Sequence, residues 1–321
     1  MNKPRILQIG SLSGSPNADQ SIAQRYEALE YWKATEPAAF LRDQAQDIEV
    51  VVTSAMTGCT AAVIDALPRL RAIISWGVGY DSIDVAHAQA RGIVVCNTPD
   101  VLNDCVADLA WALLLGCARQ IAWGDRNIRA NRWAARAAGL PLAPRVHHKK
   151  LGVVGLGRIG EAIARRGFGF DMEVGYHNRN PRSDVSYAYF DSLVDLAAWS
   201  DFLVVATVGG ASTRHLVCEP VLRALGPSGI VVNIARGTVI DETALVRLLS
   251  QGLVGGAALD VFEHEPRVPD ELKQMDNVVL MPHVGSATIE TRLAMLDLVL
   301  ENLQSYFATG TLVTPIVDQR V

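Results

Sequence analysis

The sequence is poor in the features of a secreted or metal-stapled protein. Its 321 residues hold five cysteines, Cys59, Cys96, Cys105, Cys117 and Cys218, an odd number with no C-x-x-C pair. Neither a disulfide framework nor a metal site is therefore expected. Most of these thiols lie in apolar runs, where cysteine behaves as a small hydrophobe, and such usage fits a reducing cytoplasm. Positive charge is also scarce: 29 Lys and Arg against 34 Asp and Glu leave a net charge of −5. That sign opposes counterion-release binding to a phosphate polymer, so no nucleic-acid partner is expected. No stretch reaches the ~20 uninterrupted apolar residues that span a bilayer. The nearest approach, 107–123, is broken by Asp108, Arg119 and Gln120. The start, Met1-Asn2-Lys3-Pro4-Arg5-Ile6-Leu7, lacks the apolar core of a signal peptide. The expectation is a cytoplasmic protein without a membrane partner. Internal repeats and low-complexity tracts are missing too, and the basic run 145–150 reads as a solvated loop.

What is present is an ordinary globular balance, half the residues apolar and a fifth charged, at a length that suggests about two domains. From residue 48 short apolar runs alternate with helical segments: strands at 48–54, 72–76 and 94–97, helices at 60–67 and 83–91. Alternation of this kind implies a parallel sheet covered by helices. Pro99 breaks the series, and Asn103 or Asp104 caps a long apolar helix running to about Arg126. A second series follows, with strands at 151–154, 173–177, 202–206, 230–233, 257–259 and 278–281. Helices are expected at 158–168 and 191–198, with another capped by Asp241 and stopped by Gly252. Together these make a complete doubly wound nucleotide-binding unit. The last helix, 291–307, comes after that sheet is full and is expected to pack back on the first unit, so the domain order is discontinuous. Residues 1–47 are the least informative; Tyr26, Tyr31 and Trp32 either line a pocket or pack.

Gly155-Leu156-Gly157-Arg158-Ile159-Gly160 fits G-x-G-x-x-G directly after a strand and at the opening of a helix. There the first glycine permits the tight turn, the second lets the backbone approach a pyrophosphate, and the third lets helix and strand pack closely. The alternative is a glycine-rich structural turn. The next strand ends in His177-Asn178-Arg179-Asn180-Pro181-Arg182, without the acid that would hold the adenosine ribose of NAD. Asn178 and Arg179 suit a 2′-phosphate instead, with Arg182 as a candidate second cation. Arg179 stacked on adenine, or a plain surface turn, are the other readings. Arg236 in Asn233-Ile234-Ala235-Arg236-Gly237, Glu265 in Glu263-His264-Glu265-Pro266, and His283 in Pro282-His283-Val284-Gly285 each follow a strand. Taken singly they could be a surface ion pair, a solvated loop acid and a structural histidine. Gly77-Val78-Gly79-Tyr80 follows the strand 72–76 and is either a small anion nest or a structural turn.

The order G-L-G-R-I-G, N-I-A-R-G, L-D-V-F-E-H-E-P and P-H-V-G-S-A-T resembles the D-isomer-specific 2-hydroxyacid dehydrogenases, from about residue 48 to 317. The resemblance implies that Arg236 orients the substrate carboxylate and carbonyl, that His283 is the acid-base, and that Glu265 supports it. It places the amides of Val78 and Gly79 at the substrate carboxylate and Asp260 beside the nicotinamide. The coenzyme set it implies comprises the six residues 155–160, Asn178, Arg179, Thr207, Val208, Ile234, Ala235, Arg236, Asp260, His283 and Gly285. The implied layout is α/β, a Rossmann domain at 99–289 inserted in a flavodoxin-like substrate domain formed by 1–98 and 290–321, hinged near Thr98-Pro99 and at 287–289. A homodimer through the helix from Asn103 is implied as well, with Trp133 either near a partner's active site or in the dimer core. Within the family the motifs look most like NADPH-preferring glyoxylate/hydroxypyruvate reductases and plant-type hydroxyphenylpyruvate reductases. The leading expectation is NADPH-dependent reduction of glyoxylate and hydroxypyruvate. The rivals are a reductase of bulkier keto acids such as hydroxyphenylpyruvate, and a nucleotide-sensing, corepressor-like binding protein.

Overall fold

A computed structural model of the chain describes residues 3–12, 14–134 and 142–316. It divides into two compact units, residues 1–102 with 286–321 and residues 103–285. The first opens with β1 (Arg5–Gln8), α1 (Ala18–Arg25), β2 (Glu27–Glu30), α2 (Pro37–Gln44) and β3 (Val50–Ser54). It continues with α3 (Ala61–Asp65), β4 (Ala72–Trp76), α4 (Val85–Ala90) and β5 (Val94–Cys96). The second unit holds α5 (Asn103–Ala118), α6 (Ile121–Arg129), β6 (Lys150–Val154), α7 (Arg158–Gly167), β7 (Glu173–His177), β8 (Ala188–Tyr189) and α8 (Leu193–Trp199). Then come β9 (Phe202–Val205), α9 (Glu219–Leu225), β10 (Ile230–Asn233), α10 (Glu242–Ser250), β11 (Gly256–Leu259), α11 (Asp270–Gln274) and β12 (Val278–Leu280). The chain returns to the first unit as α12 (Ile289–Thr309), which packs on β4.

Both sheets are parallel. The first has the order β2-β1-β3-β4-β5, the flavodoxin-like winding, and the second the order β12-β11-β10-β9-β6-β7-β8. The strands β3, β4, β9, β10 and β11 are buried along their whole length, which is why they read as continuous apolar runs rather than alternations. In the second sheet the order reverses between β6 and β9, so the glycine motif that follows β6 stands at a switch point, where doubly wound folds place ligands.

Several expectations need correction. The helix expected to run to Arg126 ends at Ala118; Gln120 takes a left-handed conformation (φ 52°), and α6 leaves at 62° to α5. The cause is a change of face: α5 buries Trp111, Leu113 and Leu114, whereas Ile121 and Ile128 of α6 are exposed and Arg126 pairs with Asp276 at 2.5 Å. Among the described residues no single helix is long and apolar enough to cross a membrane. The basic run is not solvated throughout: Val146 is buried, Lys149 pairs with Asp201 at 2.8 Å, and Lys150 opens β6. Tyr26 and Tyr31 pack, against Phe307 and Phe40. Three of the cysteines, Cys59, Cys96 and Cys117, are buried, and burial pushes their thiols up to about 12.

One buried amide helps to hold the segment that follows α12. Asn302 on α12 is fully enclosed; its Oδ1 accepts from Val313 N (2.9 Å) and Thr314 N (3.2 Å), and its Nδ2 donates to Leu298 O at 2.7 Å. Thr314 Oγ1 in turn donates to Asn97 O (2.7 Å), just past β5. Asn302→Ala strands two backbone amides, so it is expected to destabilise the first unit by about 2 kcal/mol or more. A urea unfolding midpoint equal to the parent's would contradict this.

Candidate active site

Because every strand of the second sheet runs the same way, the segments after β6, β7, β9, β10, β11 and β12 all emerge along one edge. The sequence-predicted residues of this unit sit on those six segments. After β6, Gly155 has φ +92°, and a Cβ there would lie 2.6 Å from Thr207 Cα, so only glycine lets the segment after β9 approach. A Cβ on Gly160 would meet Gly155 O at 2.1 Å, which is the close helix packing expected of the third glycine. At Gly157 a Cβ would meet nothing within 4 Å. Arg158 and Ile159 form the first turn of α7, whose amides and dipole face that open backbone. The glycine turn thus has room for a pyrophosphate and donors to hold it.

After β7, Asn178 Oδ1 accepts from Leu156 N at 2.6 Å, tying this segment to the glycine turn, while Arg179 is exposed. Arg182 does not serve as a second free cation. Its guanidinium donates to Glu161 Oε2 (2.7 Å), Leu156 O (3.1 Å) and Asp184 Oδ1 (2.9 Å). After β9, Thr207 packs its backbone on Gly155, and Val208 is exposed.

The segments after β10, β11 and β12 interlock. Asn233 ends β10 and folds the next turn with its side chain: Oδ1 accepts from Ala235 N (3.0 Å) and Nδ2 donates to Arg236 O (2.9 Å). Ile234 and Ala235 are buried by this turn, and Arg236 is half-buried beyond them. Asp260, buried just past β11, accepts from Val284 N and Gly285 N, both at 2.8 Å, and its carbonyl accepts from His283 N at 2.8 Å. Both oxygens of Asp260 are therefore committed to the turn that carries His283. That turn holds His283 at φ 54°, a conformation that costs energy in a non-glycine residue and persists only where its surroundings enforce it. Glu265 Oε1 accepts from Phe262 N (3.0 Å), and Oε2 lies 2.7 Å from His283 Nδ1.

Electrostatics assign the protons. Burial alone would push the Glu265 carboxyl up, but the hydrogen bond and charge of His283, the Phe262 amide and the Arg236 charge outweigh it and hold it below its ordinary 4.5. An ionised carboxylate only accepts, so His283 Nδ1 carries a hydrogen and Nε2 is left to exchange a proton. Burial pushes Asp260 above its ordinary 3.8 against the opposing pull of the Val284 amide, the His283 charge and the Gly285 amide.

One supporting group left no sequence signal. Glu263, with a side chain only 10 % exposed, pairs with Arg214 (2.7 Å) and His215 (3.1 Å) and so anchors the segment bearing Glu265 to the one following Thr207 and Val208. Its partners are some fifty positions away, beyond any spacing rule. In the first unit, Gly77 (φ +140°) exchanges bonds with Thr98, Gly77 N to Thr98 Oγ1 at 3.1 Å and Thr98 N to Gly77 O at 3.0 Å. Val78 O accepts from Asn97 Nδ2 at 2.7 Å, and Val78 and Gly79 are half-buried. Among the described residues no group of three or more His, Cys, Asp or Glu could hold a metal ion.

Comparison with known proteins gives consistent matches. The family model for the NAD-binding domain of D-isomer specific 2-hydroxyacid dehydrogenases matches residues 111–285. The chain is 44 % identical over 299 residues to a glyoxylate/hydroxypyruvate reductase A of Arabidopsis thaliana, covering 93 % of this chain and 95 % of the relative. It is 43 % identical to the hydroxyphenylpyruvate reductase of Plectranthus scutellarioides, with the same coverage. Among solved structures, an NADPH-dependent glyoxylate/hydroxypyruvate reductase from Sinorhizobium meliloti in complex with NADP and malonate superposes with a TM-score of 0.90 at 40 % identity, over 98 % of this chain and 97 % of that one.

The depressed Glu265 carboxyl makes a stability prediction with a definite sign. Such a group stabilises the fold above its unfolded value and loses that contribution as pH falls through its folded value. Glu265 therefore contributes fully at neutral pH and loses that contribution as pH falls from 4.5 through its lowered folded value. Between pH 7 and acid, Tm should fall further in the parent than in Glu265→Gln. Parallel curves would show that the pair adds nothing to the fold.

Proposed function

The chain belongs to the D-isomer specific 2-hydroxyacid dehydrogenase family, and from that premise we propose that it reduces small 2-keto acids, glyoxylate and hydroxypyruvate first, to D-2-hydroxy acids with NADPH. The observation that carries this reading is the 2.7 Å pairing of Glu265 with His283 on the strand edge that also bears Arg236. The bound coenzyme supplies the hydride that reaches the carbonyl carbon. His283 Nε2 gives the carbonyl oxygen its proton, and the Glu265 carboxylate, paired with Nδ1, holds the imidazole in the orientation that can do so. Arg236 offsets the negative charge that develops on that oxygen and holds the substrate carboxylate with its planar fork.

The second unit is assigned to the coenzyme. The six residues 155–160 receive the pyrophosphate; Thr207, Val208, Ile234, Ala235 and Gly285 border the dinucleotide; and Asp260 seats the nicotinamide by fixing the turn 283–285. NADPH is the preferred form because Asn178 stands where a carboxylate would repel a 2′-phosphate and Arg179 is exposed beside it. Hydroxyphenylpyruvate is a second substrate candidate, supported by the 43 % identity to a reductase of that name.

The chain works as a homodimer. The exposed Ile121, Ile128 and Trp133, on and after α6, offer an apolar face of the kind that a second copy covers. Light scattering at micromolar concentration should report a dimer, and a monomer would refute this assignment.

The direct test is a keto-acid panel assayed with both coenzymes on the parent and on His283→Ala. The parent should turn over glyoxylate and hydroxypyruvate best with NADPH. The variant should lose ~10² to 10⁴ in rate while still binding coenzyme, since that is what acid-base catalysis supplies. Parental turnover by the variant would remove His283 from the chemistry. A parent that binds coenzyme without turning over any keto acid would point to a nucleotide-sensing role.

A further inference from the structure

Two arginines follow β7, and they are held in opposite ways. Arg179 is exposed, whereas Arg182 keeps only 24 % of its side chain accessible. Nη1 of Arg182 bridges Leu156 O (3.1 Å) and Glu161 Oε2 (2.7 Å), while Nε and Nη2 grip the two oxygens of Asp184. The backbone N–H of Arg182 donates to the Tyr176 hydroxyl at 2.8 Å, and Tyr176 is among the largest fully buried side chains of the protein.

These bonds have two consequences. The first is geometric. Leu156, between the first two glycines of the motif, is gripped from both sides, its N–H by Asn178 Oδ1 at 2.6 Å and its carbonyl by Arg182. The loop bearing Arg179 is thereby stapled to the glycine turn on either side of Arg179 itself. The second is electrostatic. Glu161 lies in the first turn of α7, where a carboxylate suits the helix dipole. Because one nitrogen of Arg182 touches both Glu161 and Leu156, that negative charge stands within two hydrogen-bond lengths of the glycine turn. Unneutralised, it would repel a phosphate placed beside Asn178 and Arg179.

We propose that Arg182 is a positioning residue for coenzyme selection: its guanidinium, shared between Glu161 and Asp184, offsets the Glu161 charge nearest the glycine turn and locks Leu156 to the Asn178–Arg179 loop, so that Arg179 meets the adenosine 2′-phosphate against less competing negative charge. The inference rests on the proposed NADPH preference and deepens it. Arg182 does not touch the phosphate. Its influence runs through the charge of Glu161 and the register of the loop, and for that reason removing Glu161 should compensate for removing Arg182.

The test is direct binding, read by calorimetric titration of the purified protein without keto acid. NADPH, NADH, adenosine 2′,5′-bisphosphate and 5′-AMP are titrated into the parent, Arg182→Met, Arg182→Lys, Glu161→Gln and the double variant Arg182→Met/Glu161→Gln. Arg182→Met should weaken NADPH and the bisphosphate about tenfold, the scale of one charge-assisted hydrogen bond, while NADH and 5′-AMP change little. The double variant should recover most of the lost NADPH affinity. Arg182→Lys keeps the charge without the fork and should show a smaller loss confined to the two ligands that carry a 2′-phosphate, which also decides the matter should Arg182→Met not fold. An equal loss for NADPH and NADH, an unchanged ratio, or no recovery in the double variant would overturn the proposal. A parent that prefers NADPH while every Arg182 variant keeps that ratio refutes this role alone; a parent that binds both coenzymes equally refutes the preference itself.

Discussion

A parallel sheet places all its strands' carboxyl ends on one edge, and the rest of this structure depends on that constraint. Residues 155, 178, 207, 236, 260 and 283 are spread over nearly 130 positions, yet each follows a strand of the same seven-stranded sheet. Their gathering needs no long-range recognition between side chains. It requires only that six strands bury their apolar faces in the same direction. The hydrophobic core thus positions the chemistry, and the polar bonds along the edge refine it.

That refinement is made with carboxylates. Asp260 uses both oxygens to close the turn at 283–285, Glu265 aligns the imidazole, and Glu263 anchors the segment between them. Burying so much negative charge near one edge is unfavourable unless each carboxylate is paired. Here Asp260 finds backbone amides, Glu265 an amide and an imidazole, and Glu263 an arginine and a histidine. The left-handed backbone of His283 is the visible strain of this arrangement, held in place by Asp260.

Much of this was legible in the sequence, and the exceptions have physical reasons. The strands 72–76, 173–177 and 230–233 were read with the bounds they have in the structure, because buried parallel strands are short apolar runs between turn residues. Arg236, Glu265 and His283 drew notice because each follows such a run, and the fold brings Glu265 and His283 within 2.7 Å of each other. By contrast β2, Glu-Ala-Leu-Glu at the sheet edge, carries no buried residue and so no pattern. The bend at Gln120 was hidden because the apolar composition continues across it while the buried face does not. Arg182 was misread for another reason: composition shows that a cation is present, and only its neighbours Glu161 and Asp184 show that it is engaged. Glu263 depends on two residues about fifty positions upstream, and nothing local announces the contact.

The central claim is that the Glu265 carboxylate, 2.7 Å from His283 Nδ1, aligns the imidazole for proton delivery from Nε2. The measurement that bears on it most directly is the pH dependence of kcat/KM for glyoxylate reduction in the parent and in Glu265→Gln. Removing the negative charge while keeping the shape should lower kcat/KM about tenfold throughout the profile, the scale of one charge-assisted hydrogen bond, with KM for coenzyme little changed. A kcat/KM equal to the parent's across the profile would contradict the account.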